Sequence, residues 1–357
     1  MATGQEDEDL PMTARTVLVT GGAGFFGDIL KRRLLEEGLE VVSLDLVADE
    51  MRHPNLIVHR GDIRDYQTLA KLGERYQFDA VFHLAAVLAH AVKDERILWS
   101  CNVEGTRNVA EMARRFRIPK VIYTSSNCLW GESFERPVTE DDAPKPVEIY
   151  GRSKLEGEKI LLAGTDFRPI IFRCPTIVDA GRLGLLAILF EFIDEGRKVW
   201  VVGGGKNRYQ FIYAQDLAEA CVQALDCDKP GVYNIGSDGV RSFREVYEHV
   251  IREAGTKARV ANFPRWLAIP AMQLAYALKL SPLGPYQYKM IAENFVFDTT
   301  KIKREMGWQP TLTNEEMLVK AYIYYHEHRK EIRARREVSA HKQAAGMGVI
   351  KLLKWVS

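Results

Sequence analysis

A tyrosine and a lysine four residues apart, Tyr150 and Lys154 in YGRSKLEGEKIL, are the pair in this chain best suited to moving a proton. Side chains at i and i+4 share a helix face, so a helix over residues 150–162 points phenol and ammonium into one cleft. A cation beside a phenol favours the ionised form and draws its pKa down from near 10. Tyr150 is then a general base toward a substrate hydroxyl. Upstream, Thr124-Ser125-Ser126 ends an apolar run, at the kind of place where side chains emerge above the carboxyl edge of an α/β sheet. From there the Ser126 hydroxyl can hold the substrate oxygen while Tyr150 moves its proton.

An alcohol that loses its proton in this way can be oxidised if a hydride acceptor lies beside it, and the start of the chain provides for one. In TVLVTGGAGFFG an apolar, β-branched run over residues 16–19 leads directly into Gly22-x-Gly24-x-x-Gly27. Glycines there permit a tight turn and close backbone approach, so a pyrophosphate can sit on free N–H groups of a helix starting near Phe25. A second apolar run, residues 39–44, ends at Asp45, about twenty residues past the glycines, where a ribose-binding carboxylate belongs. A dinucleotide with a cationic nicotinamide ring would add to the pull of Lys154 on the phenol.

The elements that must position these groups follow a βαβ rhythm. Strand-like runs at residues 16–20, 39–44, 56–59, 80–84, 121–124 and 169–172 alternate with amphipathic stretches such as 103–116 and 150–162. That is an α/β, doubly wound parallel sheet. After Pro175 the rhythm breaks, and residues 210–213, 216–225 and 232–235 read as a return to the sheet. The expected division is a flexible acidic N-terminus (1–13), a dinucleotide-binding domain (14–175 plus 208–236), a smaller, discontinuous substrate lobe (176–207 plus 237–326) and a C-terminal tail (327–357). An apolar, Pro-bounded helix is expected at residues 265–280.

Bulk properties narrow the function class. With 46% hydrophobic residues, 27% charged and a net charge of +1, the 357-residue chain gives no support for nucleic-acid binding. Cys101, Cys128, Cys174, Cys221 and Cys227 form an odd set without CxxC or zinc spacing, so neither a disulfide framework nor a metal site is indicated and a reducing, cytoplasmic setting fits. The N-terminus is acidic and lacks the apolar stretch of a secretory signal. Residues 183–193, the most apolar stretch, are interrupted by Glu191 and read as a packed helix rather than a membrane span. The tail turns from Arg/Lys-rich to a short apolar segment with Lys351, Lys354 and Trp355; it reads as a helix docking on the protein or a partner subunit, or as a weak membrane-surface anchor.

With these motifs in order, the sequence resembles the extended branch of the short-chain dehydrogenase/reductase family, the NAD-dependent epimerase/dehydratase group. Beyond the glycine turn and Asp45 the resemblance rests on GDIRD (61–65), HLAA (83–86), NVEGT (102–106), TSS (124–126), YGRSK (150–154), YNIGS (233–237) and GWQP (307–310), and it covers residues 16–321. It implies a catalytic trio of Ser126, Tyr150 and Lys154, with Lys154 also bonding the nicotinamide ribose. Gly21, Gly24, Phe25, Phe26 and Gly27 would cradle NAD. Asp62 and Ile63 would flank the adenine, and Leu84, Ala85, Ala86, Ser125 and Pro175 would line the cofactor. Asn102 would brace the central strands. Asp45, with no Arg or Lys directly after it, favours NAD over NADP, since a carboxylate bonds the 2′-hydroxyl and repels a 2′-phosphate. Asp62 also reads as a helix N-cap, His83 as a hydrogen-bonded core histidine, and His90 as a candidate to face substrate.

Departures from the family pattern bear on the reaction. The adjacent Asp–Glu pair of the 4,6-dehydratases is replaced by Asn127 and Cys128, which speaks against a standard 4,6-dehydratase; Cys128 reads as a small packing residue or as a substitute acid. Where many epimerases carry Arg-Tyr-Phe-Asn, this chain has Arg173-Cys174-Pro175-Thr176, so Thr176 replaces a substrate-contacting amide. Tyr209, preceded by Arg208, stands where a diphosphate-gripping Arg is usual. The expected function is an NAD-dependent nucleotide-sugar epimerase acting at C4 by transient oxidation, with NAD retained. The alternatives are a dehydrogenase or reductase of the 3β-hydroxysteroid kind and an atypical sugar-nucleotide dehydratase. The resemblance also implies a homodimer built by helices near residues 92–116 and 153–162.

Overall fold

The computed structural model describes residues 15–88, 94–278 and 290–334. Expectations for residues 1–13, for His90 and for the tail beyond residue 334 fall outside the described residues.

Eleven strands are present among them: β1 (Thr16–Thr20), β2 (Glu40–Asp45), β3 (Leu56–Arg60), β4 (Ala80–His83), β5 (Lys120–Ser126), β6 (Arg168–Cys174), β7 (Thr176–Val178), β8 (Lys198–Val202), β9 (Phe211–Tyr213), β10 (Gly231–Asn234) and β11 (Arg259–Phe263). Seven of them form one sheet in the order β10-β6-β5-β4-β1-β2-β3, every pairing parallel. This is a doubly wound sheet, and strand order reverses between β1 and β4, which opens a crevice at their carboxyl ends.

The central strands are apolar because both their faces are covered, whereas the edge strand β3 is largely exposed. Val17 and Val19 pack with Leu30 and Leu34 of α1 (Phe25–Glu36) and with Leu217 and Cys221 of a later helix, Ala214–Ala224. Leu18 faces the other way, onto Leu69 of α2 (Tyr66–Arg75). The same face takes α3 (Glu95–Trp99) with its π-helical continuation Ser100–Glu104, α4 (Gly105–Arg115) and α5 (Ile149–Leu162). Full burial of each large apolar side chain contributes roughly 1.5–3 kcal/mol.

Two expectations are corrected. The helix read over residues 103–116 begins earlier, at Glu95, because Asp94 caps it by accepting from the Arg96 N–H at 2.9 Å. Residues 210–213 do not rejoin the main sheet: β9 pairs with β7, since the open edge of β6 is taken by β10. The remaining pair, β8 and β11, joins residues sixty-one apart in sequence (Lys198↔Arg259). These pairs, α6 (Leu186–Asp194), the α8 helix (Phe243–Ala254, after α7 Ala214–Ala224) and the helix Asn314–Ala334 surround a second core rich in Phe190, Phe211, Phe243, Phe295 and Phe297. Of the expected 265–280 helix, α9 spans Arg265–Ala277, and it is not a buried core element: Trp266 is 78% exposed and Leu274 62%. No helix among the described residues is long and apolar enough to cross a membrane.

Two family motifs act as fastenings. Trp308 of GWQP is buried and donates to the Asp216 carbonyl at 2.8 Å, while the Asp216 carboxylate accepts from the Thr311 N–H and hydroxyl. Ser237 of YNIGS donates to Asn314 at 2.7 Å.

Candidate active site

The glycine turn has the shape a dinucleotide needs. Gly21 sits at φ +76°, in the left-handed region, and a Cβ there would meet the Ala85 backbone. A Cβ on Gly27 would collide with the Gly21 and Gly22 carbonyls, so only glycine lets α1 start so close to β1. Gly24 offers no side chain to cap α1, which leaves its first-turn N–H groups for an anion. Asp45 reaches back over the turn: its carboxylate accepts from the Ala23 N–H at 3.0 Å and from Val47 N–H at 3.0 Å. Leu84 and Ala85, just past β4, are tied to Thr20 at the end of β1, and Ala86 follows half-buried. Phe25, Phe26 and Pro175 are buried. The Ser125 hydroxyl is buried and has no hydrogen-bond partner, an orphan that a bound polar ligand can satisfy. These residues fit NAD, which would supply a hydride acceptor and donor at this edge of the sheet.

Of the two residues expected to flank the adenine, Asp62 is not the helix cap; Asp65 is, accepting from the Gln67 N–H at 3.0 Å. Arg64 instead forks onto the Asp62 carboxylate and holds its pKa below the usual range. Ile63 is buried against Gly105, and its carbonyl accepts from Asn108.

Tyr150 and Lys154 reach the site because α5 lies hard against the end of β5. Gly151 and Gly157 make that approach feasible: a Cβ on the first would strike the Cys128 carbonyl, and on the second the Tyr123 phenol. Asn102 fastens the helix from the side, donating to Ser153 at 3.0 Å while its amide also bonds both backbone groups of Val87. The Ser153 hydroxyl in turn donates a hydrogen bond to the Tyr150 carbonyl at 2.7 Å. Sequence reading did not single out Gly151, Ser153 or Gly157. The signal was there: each glycine costs a helix about 1 kcal/mol, so two in one helix mark a close contact. Ser126 ends β5, and its hydroxyl accepts from the Cys128 N–H at 3.1 Å.

The electrostatics differ from the sequence expectation. Burial raises the Tyr150 phenol above its ordinary value, and the cation that opposes this is Arg182, not Lys154. Lys154 stands over the Tyr123 ring, 4.1 Å from its centroid, and burial pushes its ammonium down to about 8. The sign of the consequence follows. Above pH 8 and up to the unfolded value near 10.4, the unfolded chain keeps a proton that native Lys154 has lost, so native stability rises with pH. In dinucleotide-free protein this gain is on the order of 3 kcal/mol. Denaturant melts at pH 7.5 and 10 should show it, and Lys154→Met should abolish the difference attributable to this group.

His83 is a core residue. Thr106 donates its proton to the Asn102 carbonyl, so it accepts from His83 Nε2–H, and Nδ1 accepts from Thr20 at 2.8 Å. Burial drives its pKa down to about 3, which keeps it neutral.

The residues expected to touch substrate are partly gathered. Asn127 donates to the Tyr209 phenol oxygen at 2.6 Å, and Thr176 lies 3.3 Å from the same oxygen. Cys128 is half-buried rather than packed away. Arg208 is not brought to this group: it is exposed, and its charge falls on Glu245 at the start of α8. Tyr209, by contrast, is drawn inward by stacking on Phe243. Arg182, absent from the sequence reading, sits half-buried beside this cluster; no spacing rule flags a lone Arg in a loop.

A parallel sheet with this turn at its switch point and a Tyr-x-x-x-Lys helix against its carboxyl edge define an extended short-chain dehydrogenase/reductase. The chain belongs to the NAD dependent epimerase/dehydratase family, whose model matches residues 17–236, and a GDP-mannose 4,6 dehydratase model matches residues 186–321. It is an enzyme, and NAD is its cofactor. It is 36% identical over 344 residues to the protein y4nG of Sinorhizobium fredii, across 96% of this chain and 86% of that one. To a UDP-glucose 4-epimerase of Lacticaseibacillus casei it is 25% identical over 346 residues, spanning 88% and 98% of the two chains. The crystal structure of the Bordetella bronchiseptica enzyme WbmH in complex with NAD+ is similar, with a TM-score of 0.71, 25% identity and coverage of 88% and 99%.

Proposed function

We propose that the chain is a nucleotide-sugar epimerase acting at C4 and returning its NAD unchanged after each turnover. One observation carries this reading: Ser126, Tyr150 and Lys154 are kept, whereas the places of the dehydratase acid–base pair hold Asn127, bonded to Tyr209, and Cys128. Without a carboxylate pair to eliminate water, a ketone formed at C4 has reduction as its exit. Tyr150 takes the C4 hydroxyl proton while Ser126 holds the oxygen, and after the sugar presents its other face Tyr150 returns the proton. NAD, held at the glycine turn, would supply the acceptor and donor for the C4 hydride. The similarity to a UDP-glucose 4-epimerase favours a uridine nucleotide.

The experiment is a panel of UDP-, GDP- and dTDP-sugars incubated with protein carrying its own NAD. Interconversion of two epimers without net NADH is the expected result; stoichiometric NADH would sink the reading. A net dehydrogenase acting on an apolar alcohol, of the 3β-hydroxysteroid kind, is the second reading, favoured by the exposed apolar face of α9. An atypical dehydratase is kept on the strength of the 186–321 match. We also propose a cytoplasmic homodimer through the α4 and α5 faces, near which Ile97 and Leu162 are 42% and 46% exposed. A mass of 40.6 kDa by light scattering would refute the dimer.

A further inference from the structure

Beyond its pull on Tyr150, Arg182 has no ligand assigned above. Its backbone is firmly held. The Arg182 N–H donates to the Asp179 carbonyl at 3.0 Å, and the Asp179 carboxylate is itself bound by the Ala180 N–H at 2.7 Å and by Gln215 at 3.1 Å. Its neighbour Leu183 is buried in the second core. The guanidinium is thus projected from the second lobe toward the first. It lies over the ring of Phe25, 5.9 Å from the centroid, and acts electrostatically on Tyr150. Among the described residues it has neither a hydrogen bond nor an ion pair through its side chain. Though the residue is half-buried, desolvation pushes its guanidinium down to about 10, so it remains a cation at neutral pH but an incompletely solvated one.

A poorly solvated, unpaired cation is costly unless something binds it. The geometry identifies what. Phe25 is the first residue of α1, whose first-turn N–H groups have no side-chain cap, and the buried hydroxyl of Ser125 lacks a partner at the end of β5. A guanidinium fork facing a helix start matches an anion with several oxygens better than a single carboxylate. We propose that Arg182 receives a diphosphate, closing the second lobe over the start of α1. Two sources carry that chemistry: the dinucleotide, whose pyrophosphate belongs at the glycine turn, and a nucleotide-sugar substrate, whose usual Arg is replaced here by Tyr209. The assignment rests on the family's use of NAD and, in its substrate form, on the epimerase reading.

The test is calorimetric titration of nucleotide-stripped protein with ADP-ribose, UDP and adenosine, in wild type, Arg182→Met and Arg182→Lys. The expected result is a tenfold or greater loss of ADP-ribose affinity in Arg182→Met, unchanged adenosine affinity, and partial recovery in Arg182→Lys. A loss confined to UDP assigns the same diphosphate role to the substrate. Unchanged affinity for both diphosphates overturns the proposal, and so does an equal loss for adenosine, which would mark a structural defect. Failure of the wild type to bind ADP-ribose would count against the dinucleotide site itself, whatever Arg182 does.

Discussion

Tyr150→Phe lowers turnover by about 10²–10⁴-fold and leaves NAD in place, the range expected for loss of one positioned acid–base group. The ring is held by α5, whose approach depends on Gly151 and Gly157, and Phe keeps that ring while removing only the hydroxyl. The fold should therefore be unaffected. Burial keeps the phenol protonated at neutral pH in the free protein, and the nearby cation opposing this is Arg182. The activity of the wild type should accordingly rise with pH as the phenolate is populated. Steady-state kinetics with the NAD content of the purified variant provide the check; turnover equal to wild type would remove Tyr150 from the catalytic set.

The second large effect falls on stability. Glu158, one turn beyond Lys154 on α5, is buried and forks onto Arg173 of β6 at 2.9 and 3.1 Å, and Arg173 lies over Trp130 and donates to the Glu140 carbonyl. Glu158→Gln keeps the volume but strips the buried guanidinium of its counter-charge, a change that typically costs 3–5 kcal/mol. Removing both partners with apolar residues of similar size should cost much less, because no uncompensated charge remains. Urea melts of the single and double variants distinguish the two. If the single variant melts like wild type, the pair contributes nothing to the fold. Glu158 also raises the Lys154 pKa, so the single variant should lower the pH at which Lys154 loses its proton.

What was legible in the sequence was local. An apolar run abutting a glycine turn admits few conformations, and β1, the turn and α1 stand where the pattern puts them. The spacing of Tyr150 and Lys154 fixed their shared helix, but not their electrostatics: Lys154 turned to the Tyr123 face, and the cation acting on Tyr150 came from a loop thirty-two residues further along. The β7–β9 and β8–β11 pairs are short, parallel and separated by long stretches of chain, so no hairpin signal announces them. The family pattern places Tyr209 where a diphosphate-gripping Arg is usual, whereas its partners Asn127 and Phe243 are brought to it by the fold.

The sheet is completed by a strand that arrives late. During synthesis β6 emerges well before β10, and residues 176–213 must leave the ribosome before β10 can pair with it. Meanwhile the nascent chain presents Ile170, Ile171 and Phe172 along an unpaired edge, the kind of template on which other chains nucleate aggregates. A truncation ending near residue 225 would keep the glycine turn, Ser126, Tyr150 and Lys154, yet leave that edge permanently open. Chaperone dependence, rather than a compact minimal domain, is what such a fragment would display.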